Sequence, residues 1–204
     1  MLAHAPAPRA EVGPCFWAGP DERDYFFRAP GVSDGPALWS LAKDSGSLDL
    51  NSPYAYLMLG AHFADTCAIA ERGAKPVAFV SAFVSPLRPE TLFVWQVAVA
   101  AEERGQGLAK QLLKHVLARP ACRRVRYLEA TVTPSNKGSA ALFRALAREL
   151  GVPCRVTPGL SADLFPGGAH EPEDAFLVGP MPRPRHRGVK SAVKDGAART
   201  KEGE

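Results

Sequence analysis

The sequence TLFVWQVAVAAEERGQGLAKQLLKHVL, residues 91–117, decides the fold of this chain. Its first nine residues form a nearly continuous apolar run, which is typical of a central strand that is covered on both faces. Its last ten residues repeat large apolar side chains at intervals of three and four, which predicts an amphipathic helix from Leu108. Strands and helices that alternate in this way are typical of an α/β protein.

A glycine-containing turn, RGQGLA at 104–109, joins this strand to this helix. Backbone N–H groups at the start of a helix lack partners and lie at the positive end of its dipole, so they attract anions. Gly105 and Gly107 have no Cβ that would hold a phosphate away, and Arg104 adds a positive charge. The P-loop pattern does not fit, and Lys110 stands where a dinucleotide fingerprint needs its third glycine. The turn alone therefore predicts a general anion site.

Apolar periodicity predicts the other elements. Upstream of the turn these are a strand at 25–27, a helix capped by Ser33 or Asp34, a helix starting at Ser52-Pro53, and a β-hairpin over 67–84. Downstream they are a strand at 125–132, a helix capped by Ser135, and short strands at 152–156 and 175–178. Together they predict a mixed, twisted sheet of six to seven strands with helices on both faces.

Charge is distributed unevenly along the 204 residues. The net charge is +4, and residues 181–204 hold seven Lys and Arg against three Asp and Glu, so the rest of the chain is balanced. A balanced body argues against nucleic acid as a partner. We expect a flexible extension at 1–24, a globular domain at 25–180 and a disordered basic tail at 181–204.

The sequence lacks the signals of membrane insertion or export. No apolar stretch reaches the roughly 18 residues that cross a bilayer, and the first residues lack the basic and apolar regions of a leader. We therefore expect a cytoplasmic protein without a membrane partner. The cysteines, at 15, 67, 122 and 154, are spaced singly, which favours core packing over a disulfide or a metal site.

Two short motifs and four longer segments point to a family. Val97-Ala98-Val99 followed by RGQGLA, with Asn136 at the start of a later helix, resembles the GNAT superfamily of acetyl-CoA-dependent N-acetyltransferases. Within this superfamily, four segments of the chain resemble the diaminobutyrate acetyltransferases. They are LDLNSPYAYL at 48–57, FVWQVAV at 93–99, LEATVTPSN at 128–136 and FPGGAHEPE at 165–173. The resemblance covers about residues 25–180 and implies a GNAT fold and a homodimer.

The resemblance also implies a reaction. The acetyl group of acetyl-CoA would move to the 4-amino group of L-2,4-diaminobutyrate, by direct attack of the amine on the thioester, as a step of ectoine biosynthesis. An amine of ordinary basicity is mostly protonated at neutral pH, so the site needs a proton acceptor and carboxylates that recognise a cation. The alternatives are a GNAT enzyme acting on another small diamine or on peptide amines, and a non-catalytic acetyl-CoA-binding module.

The site residues are carried over from the same resemblance. Those expected to bind acetyl-CoA are Val97, Val99, Arg104, Gly105, Gln106, Gly107, Leu108, Ala109 and Asn136. Those expected to bind diaminobutyrate are Asp49, Tyr54, Trp95, His170 and Glu173. In catalysis, Val97 would offer its N–H to the thioester oxygen, and Asp49 and Glu173 would act as the catalytic carboxylates, without a metal. The structural alternatives are a helix cap for Asp49, a core position for Trp95 and a solvated acidic loop for His170 and Glu173.

One position departs from the superfamily pattern. Many members have a tyrosine in the late helix that protonates the departing thiolate, and this chain has Phe143 there. Either the thiolate leaves without an acid, which a thiol pKa of about 8.5 makes tolerable, or Tyr54, Tyr56 or Tyr127 replaces the missing tyrosine.

Overall fold

The fold is described by a computed structural model over residues 25–168 and 170–182. The predicted extension at 1–24, with Cys15, lies outside the described residues, as does the predicted tail from residue 183 onward. The domain boundaries therefore stay predictions. Among the cysteines of the described part, Cys67 and Cys122 are buried and free, as predicted, whereas Cys154 is free but only half-buried.

Seven strands and four helices make up the described chain, together with short 3₁₀ turns. The strands are β1 (Tyr25–Arg28), β2 (Ala68–Arg72), β3 (Lys75–Val84), β4 (Thr91–Val99), β5 (Tyr127–Val132), β6 (Cys154–Leu160) and β7 (Glu173–Val178). The helices are α1 (Gly35–Ser45), α2 (Pro53–His62), α3 (Leu108–Leu117) and α4 (Lys137–Leu150). The predicted order of elements is confirmed along this whole stretch.

The strands form one mixed sheet in the order β1-β2-β3-β4-β5-β7-β6. All neighbours run antiparallel except β4 and β5, which are parallel and are joined through α3. The predicted α/β fold class is therefore confirmed, with seven strands.

Apolar side chains on the two faces of the sheet form two cores. Successive side chains of β2 point to opposite faces of the sheet, so Ala68 and Ala70 belong to one core and Ile69 belongs to the other. The larger core packs the sheet against α3 and α4, and the smaller one packs it against α1 and α2. Helices thus lie on both faces, as predicted.

Strand β4 is central, but the prediction that it is covered on both faces is wrong at Trp95. The pairing of β3 with β4 shifts between Ser81, which faces Gln96, and Ala82, which faces Val94, so Trp95 is the extra residue of a β-bulge. Its side chain remains 45% exposed. An apolar run therefore overstated burial here, since a bulge turns one side chain out of the regular alternation.

Two smaller expectations need correction. The cap of α4 is Asn136 instead of Ser135, because the Asn136 side chain accepts the Ser139 N–H at 3.0 Å. The strand predicted at 152–156 runs from Cys154 to Leu160, where pairing with β7 sustains it despite Pro158. Within the described residues, no helix is both long enough and apolar enough to cross a bilayer.

Candidate active site

Strands β4 and β5 separate, and their separation leaves one edge of β4 open. They pair from Thr91, opposite Tyr127, to Phe93, opposite Glu129. Beyond this point β4 continues to Val99, and the described sheet shows no further pairing between β4 and β5. The backbone of the second half of β4 therefore borders a gap between the two strands.

The N–H groups of Val97 and Val99 face this gap. Ala100 donates its N–H to the Val77 oxygen of β3 at 2.8 Å. Hydrogen bonds in an antiparallel ladder alternate residue by residue, so Ala98 also points its N–H toward β3. The intervening residues, Val97 and Val99, consequently point theirs away from β3, on the side where β5 has separated.

The turn after β4 presents uncapped backbone N–H groups at the start of α3. Gly105 and Gly107 have φ values of 79° and 74°, in the left-handed region that favours glycine. Gly107 is the N-cap residue of α3 and supplies no side-chain acceptor to the first turn. A Cβ placed at either glycine would meet no atom of the described residues within 4 Å. This open helix start is the arrangement that a pyrophosphate needs.

Two side chains of the turn fasten it to neighbouring elements. Arg104 donates from Nε to the Val99 oxygen and from Nη2 to the Ser45 oxygen at the end of α1, both at 3.2 Å. Gln106 accepts the Tyr25 hydroxyl at 2.9 Å through Oε1. Both therefore support the turn structurally, in addition to the phosphate-binding role predicted for them.

Asn136 lies at the start of α4, just beyond the end of β5. Because β4 and β5 are parallel, the helices that follow them begin at the same edge of the sheet. The Asn136 oxygen caps the helix through Ser139, so Nδ2 is the group that this side chain can offer to a ligand.

Asp49, His170 and Glu173 form a charged cluster from segments far apart in sequence. His170 Nε2 lies 3.1 Å from Asp49 Oδ2 and 3.9 Å from Glu173 Oε1. Its Nδ1 lies 2.5 Å from the Glu171 carbonyl oxygen, and its ring stacks on Phe165 with centroids 3.7 Å apart. The Glu171 carbonyl, and after it the Asp49 carboxylate, raise the pKa of His170 above the usual imidazole value.

This cluster is suited to a cation. Its two carboxylates and imidazole offer ligand atoms that all lie within 4.8 Å of one another. Such a set could hold a divalent metal ion, and the same oxygens could accept hydrogen bonds from an ammonium group. The Asp49 side chain is 81% exposed and that of Glu173 is 16% exposed, so the cluster is open to solvent at Asp49. The absence of a metal stays a prediction.

Trp95 and Tyr54, the two aromatic residues predicted for the acceptor pocket, differ in their surroundings. The exposed indole of Trp95 excludes a core position for this residue and borders an apolar cavity of about 260 Å³. Leu59 of α2 and Phe63, the residue that caps the end of this helix, line the same cavity. Tyr54 lies in the first turn of α2 and is 68% exposed, so its contact with a substrate stays a prediction.

Sequence reasoning missed two residues that contact the cluster. Gln96 is buried and donates from Nε2 to the Asp49 carbonyl oxygen at 2.8 Å. Phe165 forms the ring stack on His170. A single amide within the apolar run of β4 was the available signal for Gln96, whereas the sequence carries none for the stacking partner.

The tyrosines considered as substitute acids have different environments. Phe143 itself is buried against Phe176, with ring centroids 6.0 Å apart. Tyr56 is buried and donates its hydroxyl to Gln96 at 3.2 Å. Tyr127 begins β5, at the end where β4 and β5 are still paired, which disfavours it as an acid in the gap.

The family follows from comparison with known proteins. Residues 36–147 match the acetyltransferase (GNAT) family, and the chain belongs to this family. It is similar to the L-2,4-diaminobutyric acid acetyltransferase of Shouchella clausii (strain KSM-K16), with 51% identity over 152 residues, 74% of this chain and 85% of that relative. The enzyme of the same name from Halomonas elongata is 42% identical over 165 residues, 80% of this chain and 85% of that relative.

Solved structures agree with the sequence relatives. The diaminobutyrate acetyltransferase of Paenibacillus lautus, in complex with L-2,4-diaminobutyric acid and coenzyme A, is similar with a TM-score of 0.75 and 50% identity, over 78% of this chain and 96% of that one. The ribosomal-protein-S18-alanine N-acetyltransferase of Escherichia coli, at 17% identity and a TM-score of 0.55, shares the fold alone. The predicted resemblance to diaminobutyrate acetyltransferases and the predicted GNAT fold are thus confirmed.

Proposed function

We propose that this chain moves the acetyl group of acetyl-CoA to the 4-amino group of L-2,4-diaminobutyrate, giving N4-acetyl-L-2,4-diaminobutyrate for ectoine biosynthesis. The observation that carries the proposal is the cation-suited cluster of Asp49, His170 and Glu173, which Gln96 ties to the open edge of β4. It is further supported by relatives that bear this enzyme name at 42% and 51% identity, and by the Paenibacillus enzyme, whose structure contains both diaminobutyric acid and coenzyme A.

In this proposal acetyl-CoA lies in the gap between β4 and β5. Its pyrophosphate meets the N–H groups at the start of α3, where the helix dipole and Arg104 favour negative charge. Val99 bonds the pantetheine arm, and Asn136 Nδ2 bonds the cofactor from α4. The N–H of Val97 faces the thioester oxygen and stabilises the negative charge that develops on it when the amine attacks.

Diaminobutyrate carries two ammonium groups and one carboxylate at neutral pH, so its acceptor site must neutralise positive charge. Asp49 and Glu173 supply two negative charges around His170, and the Trp95 indole forms a wall that can face a cation. We assign Asp49 and Tyr54, the exposed members, to substrate recognition.

The reacting amine must lose a proton before or during attack. The free base of an ordinary amine is about a thousandth of the total at neutral pH, a cost of about 4 kcal/mol, and a second ammonium nearby reduces that cost. We propose that Glu173 or Asp49 accepts this proton, directly or through water, and that His170 holds the two carboxylates in position. The coenzyme A thiolate then leaves without a protein acid in this proposal, because Phe143 cannot protonate it, the Tyr56 hydroxyl is bonded to Gln96, and Tyr127 lies where β4 and β5 are still paired.

The test is acetyl-CoA-dependent thiol release with diaminobutyrate, diaminopropionate, ornithine, lysine and a peptide amine, followed by NMR of the product. We expect diaminobutyrate to give the highest kcat/KM and acetylation at N4. Higher turnover with another diamine or a peptide would replace the proposed substrate, and coenzyme A binding without consumption of any amine would indicate a non-catalytic module. Activity should survive dialysis against EDTA, because no step uses a metal.

We also propose a homodimer, supported by an exposed aromatic cluster around the cavity beside Trp95. Phe63 is 39% exposed, and its ring contacts Phe83, which contacts Phe93 at a centroid distance of 5.3 Å. Exposed apolar patches of this kind mark interaction surfaces. Light scattering should give twice the chain mass, and Phe93→Ser should shift it toward the monomer. Leu87→Ser, at an exposed leucine outside the cluster, is the control.

The domain limits and the location remain proposals as well. We propose that residues 25–180 are the catalytic unit, so a chain truncated to these residues should keep both KM values. We also retain the prediction of a cytoplasmic enzyme, which cell fractionation would test.

A further inference from the structure

Gln96 is a polar residue in the otherwise apolar second half of β4, and it is only 5% exposed. Burial of a primary amide is unfavourable unless its donors and acceptor are paired. Here the amide is paired in both directions. Its Nε2 donates to the backbone carbonyl oxygen of Asp49 at 2.8 Å, and its Oε1 accepts a hydrogen bond from the Tyr56 hydroxyl at 3.2 Å. One side chain thus joins β4, α2 and the segment between α1 and α2.

The contact with Asp49 matters because few other hydrogen bonds from the described residues hold Asp49 in place. The Asp49 side chain is 81% exposed and reaches His170 at 3.1 Å. Its backbone oxygen accepts from Gln96 at 2.8 Å and from Asn51 Nδ2 at the longer distance of 3.5 Å. The position of the Asp49 carboxylate therefore depends on a bond to the buried centre of the sheet.

The backbone of Gln96 is also fixed. Its N–H bonds the Ser81 hydroxyl at 3.1 Å, at the point where the bulge at Trp95 interrupts the ladder. Because successive N–H groups on a strand point in opposite directions, this bond directs the next N–H, that of Val97, into the gap between β4 and β5. Gln96 consequently connects the group proposed to recognise the amine with the group proposed to bind the thioester.

We infer that Gln96 is a positioning residue for the acceptor site, which holds the Asp49 carboxylate at a set distance from the β4 edge through the Nε2 bond. The inference rests on the proposed function. Only the Gln96 side-chain amide has this role toward the amine-binding site. The Gln96 backbone N–H, which helps to direct the Val97 N–H, is kept in every variant. Changes to the amide should therefore affect the amine substrate and leave acetyl-CoA binding in place.

Gln96→Met is the first variant, because it keeps the length and nearly the volume of the side chain and loses both hydrogen bonds. Gln96→Glu is the second, since its ionised carboxylate, at a pH well above the carboxyl pKa, can still accept from Tyr56 but cannot donate to the Asp49 carbonyl oxygen. Tyr56→Phe is the matched control, which removes the other bond of the same amide and keeps the bond to Asp49.

We expect both Gln96 variants to raise the KM for diaminobutyrate about tenfold, since misplacing a recognition group by a fraction of an ångström has effects of this order. The KM for acetyl-CoA should change less than about twofold, and Tyr56→Phe should leave both KM values within the same limit. In an Asp49→Asn background, Gln96→Met should add nothing further, because the carboxylate that it positions is gone. Equal changes in both KM values, or additivity with Asp49→Asn, would overturn the inference.

A second measurement does not depend on which amine is the substrate. The Asp49 carboxylate helps to raise the pKa of His170, so an NMR titration of this imidazole reports whether Asp49 is still in place. Gln96→Met should lower the His170 pKa toward its value in Asp49→Asn without reaching it, and Tyr56→Phe should leave it unchanged. An unchanged His170 pKa in Gln96→Met overturns the inference, whereas wild-type protein without turnover of diaminobutyrate contradicts only the proposed function.

Discussion

The segment at 97–109 and the cluster of Asp49, His170 and Glu173, which we propose to bind the two substrates, are built from different groups. The first is continuous in sequence and offers mainly backbone N–H groups, at Val97 and at the start of α3. The second offers side chains, and its two bonded members stand 121 positions apart. A site made of backbone groups is sensitive to substitutions that place a Cβ in it, whereas a site made of charged side chains is sensitive to substitutions that remove a charge.

The largest effect should follow from Gly107→Val in the backbone site. A β-branched residue is strained at a φ of 74°, and its side chain would fill the open space in front of α3. Losing charge-assisted bonds of about 1.5–3 kcal/mol each to the pyrophosphate should raise the KM for acetyl-CoA about 100-fold. Steady-state kinetics should show an unchanged KM for diaminobutyrate.

Gly151→Val separates strain from phosphate exclusion. Gly151 has a φ of 65°, follows α4 and also has open space around it, but it lies at the other end of that helix from Asn136. This variant should lose thermal stability and keep its KM for acetyl-CoA. If both glycine variants raised that KM equally, the turn would not be the pyrophosphate site.

The next effect concerns the side-chain site. Asp49→Asn keeps the shape and removes one charge, so the KM for diaminobutyrate should rise about tenfold, in line with the loss of a charged hydrogen bond of about 1.5 kcal/mol. Acetyl-CoA binding should be spared. Asp44→Asn, an exposed aspartate on α1, controls for the general loss of negative charge. Equal effects on both substrates would mean that Asp49 is only structural.

The same contrast explains what could be predicted from the sequence. The apolar run that ends at the Gly73 turn and the period near 3.6 in α3 are both local features of the sequence, so β2 and α3 could be predicted. The turn was predicted because an anion site made of N–H groups needs only glycines and a helix start. The bulge at Trp95 and the amide bond from Gln96 to Asp49 depend on partners on other strands and loops, so no local pattern specifies them. The residues that we propose for the acceptor site were accessible only through family resemblance.

A moderate effect is expected on pH dependence. Contacts with the Glu171 carbonyl and with Asp49 raise the pKa of His170, so its imidazole becomes cationic at a higher pH than a free one. A cationic ring repels the ammonium groups, so the KM for diaminobutyrate should rise as pH falls through this pKa, by about fivefold for one added like charge near the surface.

His170→Gln isolates this ionisation. The ratio of variant to wild-type kcat/KM cancels the ionisation of the substrate amines, and it should rise as pH falls because the variant gains no charge. Asp49→Asn should move the wild-type inflection to lower pH, since it removes one cause of the raised pKa. A ratio that stays flat between pH 5 and pH 9 would remove His170 from the acceptor site.

The smallest effect tests whether the backbone site is as local as its sequence suggests. Glu103, directly before the turn, is fully buried, pairs with Arg72 Nη2 at 2.7 Å and accepts the Tyr25 hydroxyl at 2.5 Å. Tyr25 and Arg72 stand opposite each other on β1 and β2, so the turn is also held from a distant edge of the sheet. Tyr25→Phe removes the hydroxyl that contacts both Glu103 and Gln106. Because these contacts hold the turn and do not touch the ligand, the KM for acetyl-CoA should rise only about twofold to threefold. Tyr127→Phe, the same change at the end of β5 far from the turn, is the control and should leave that KM unchanged. If Tyr25→Phe also left the KM for acetyl-CoA unchanged, the turn would keep its shape through local residues alone.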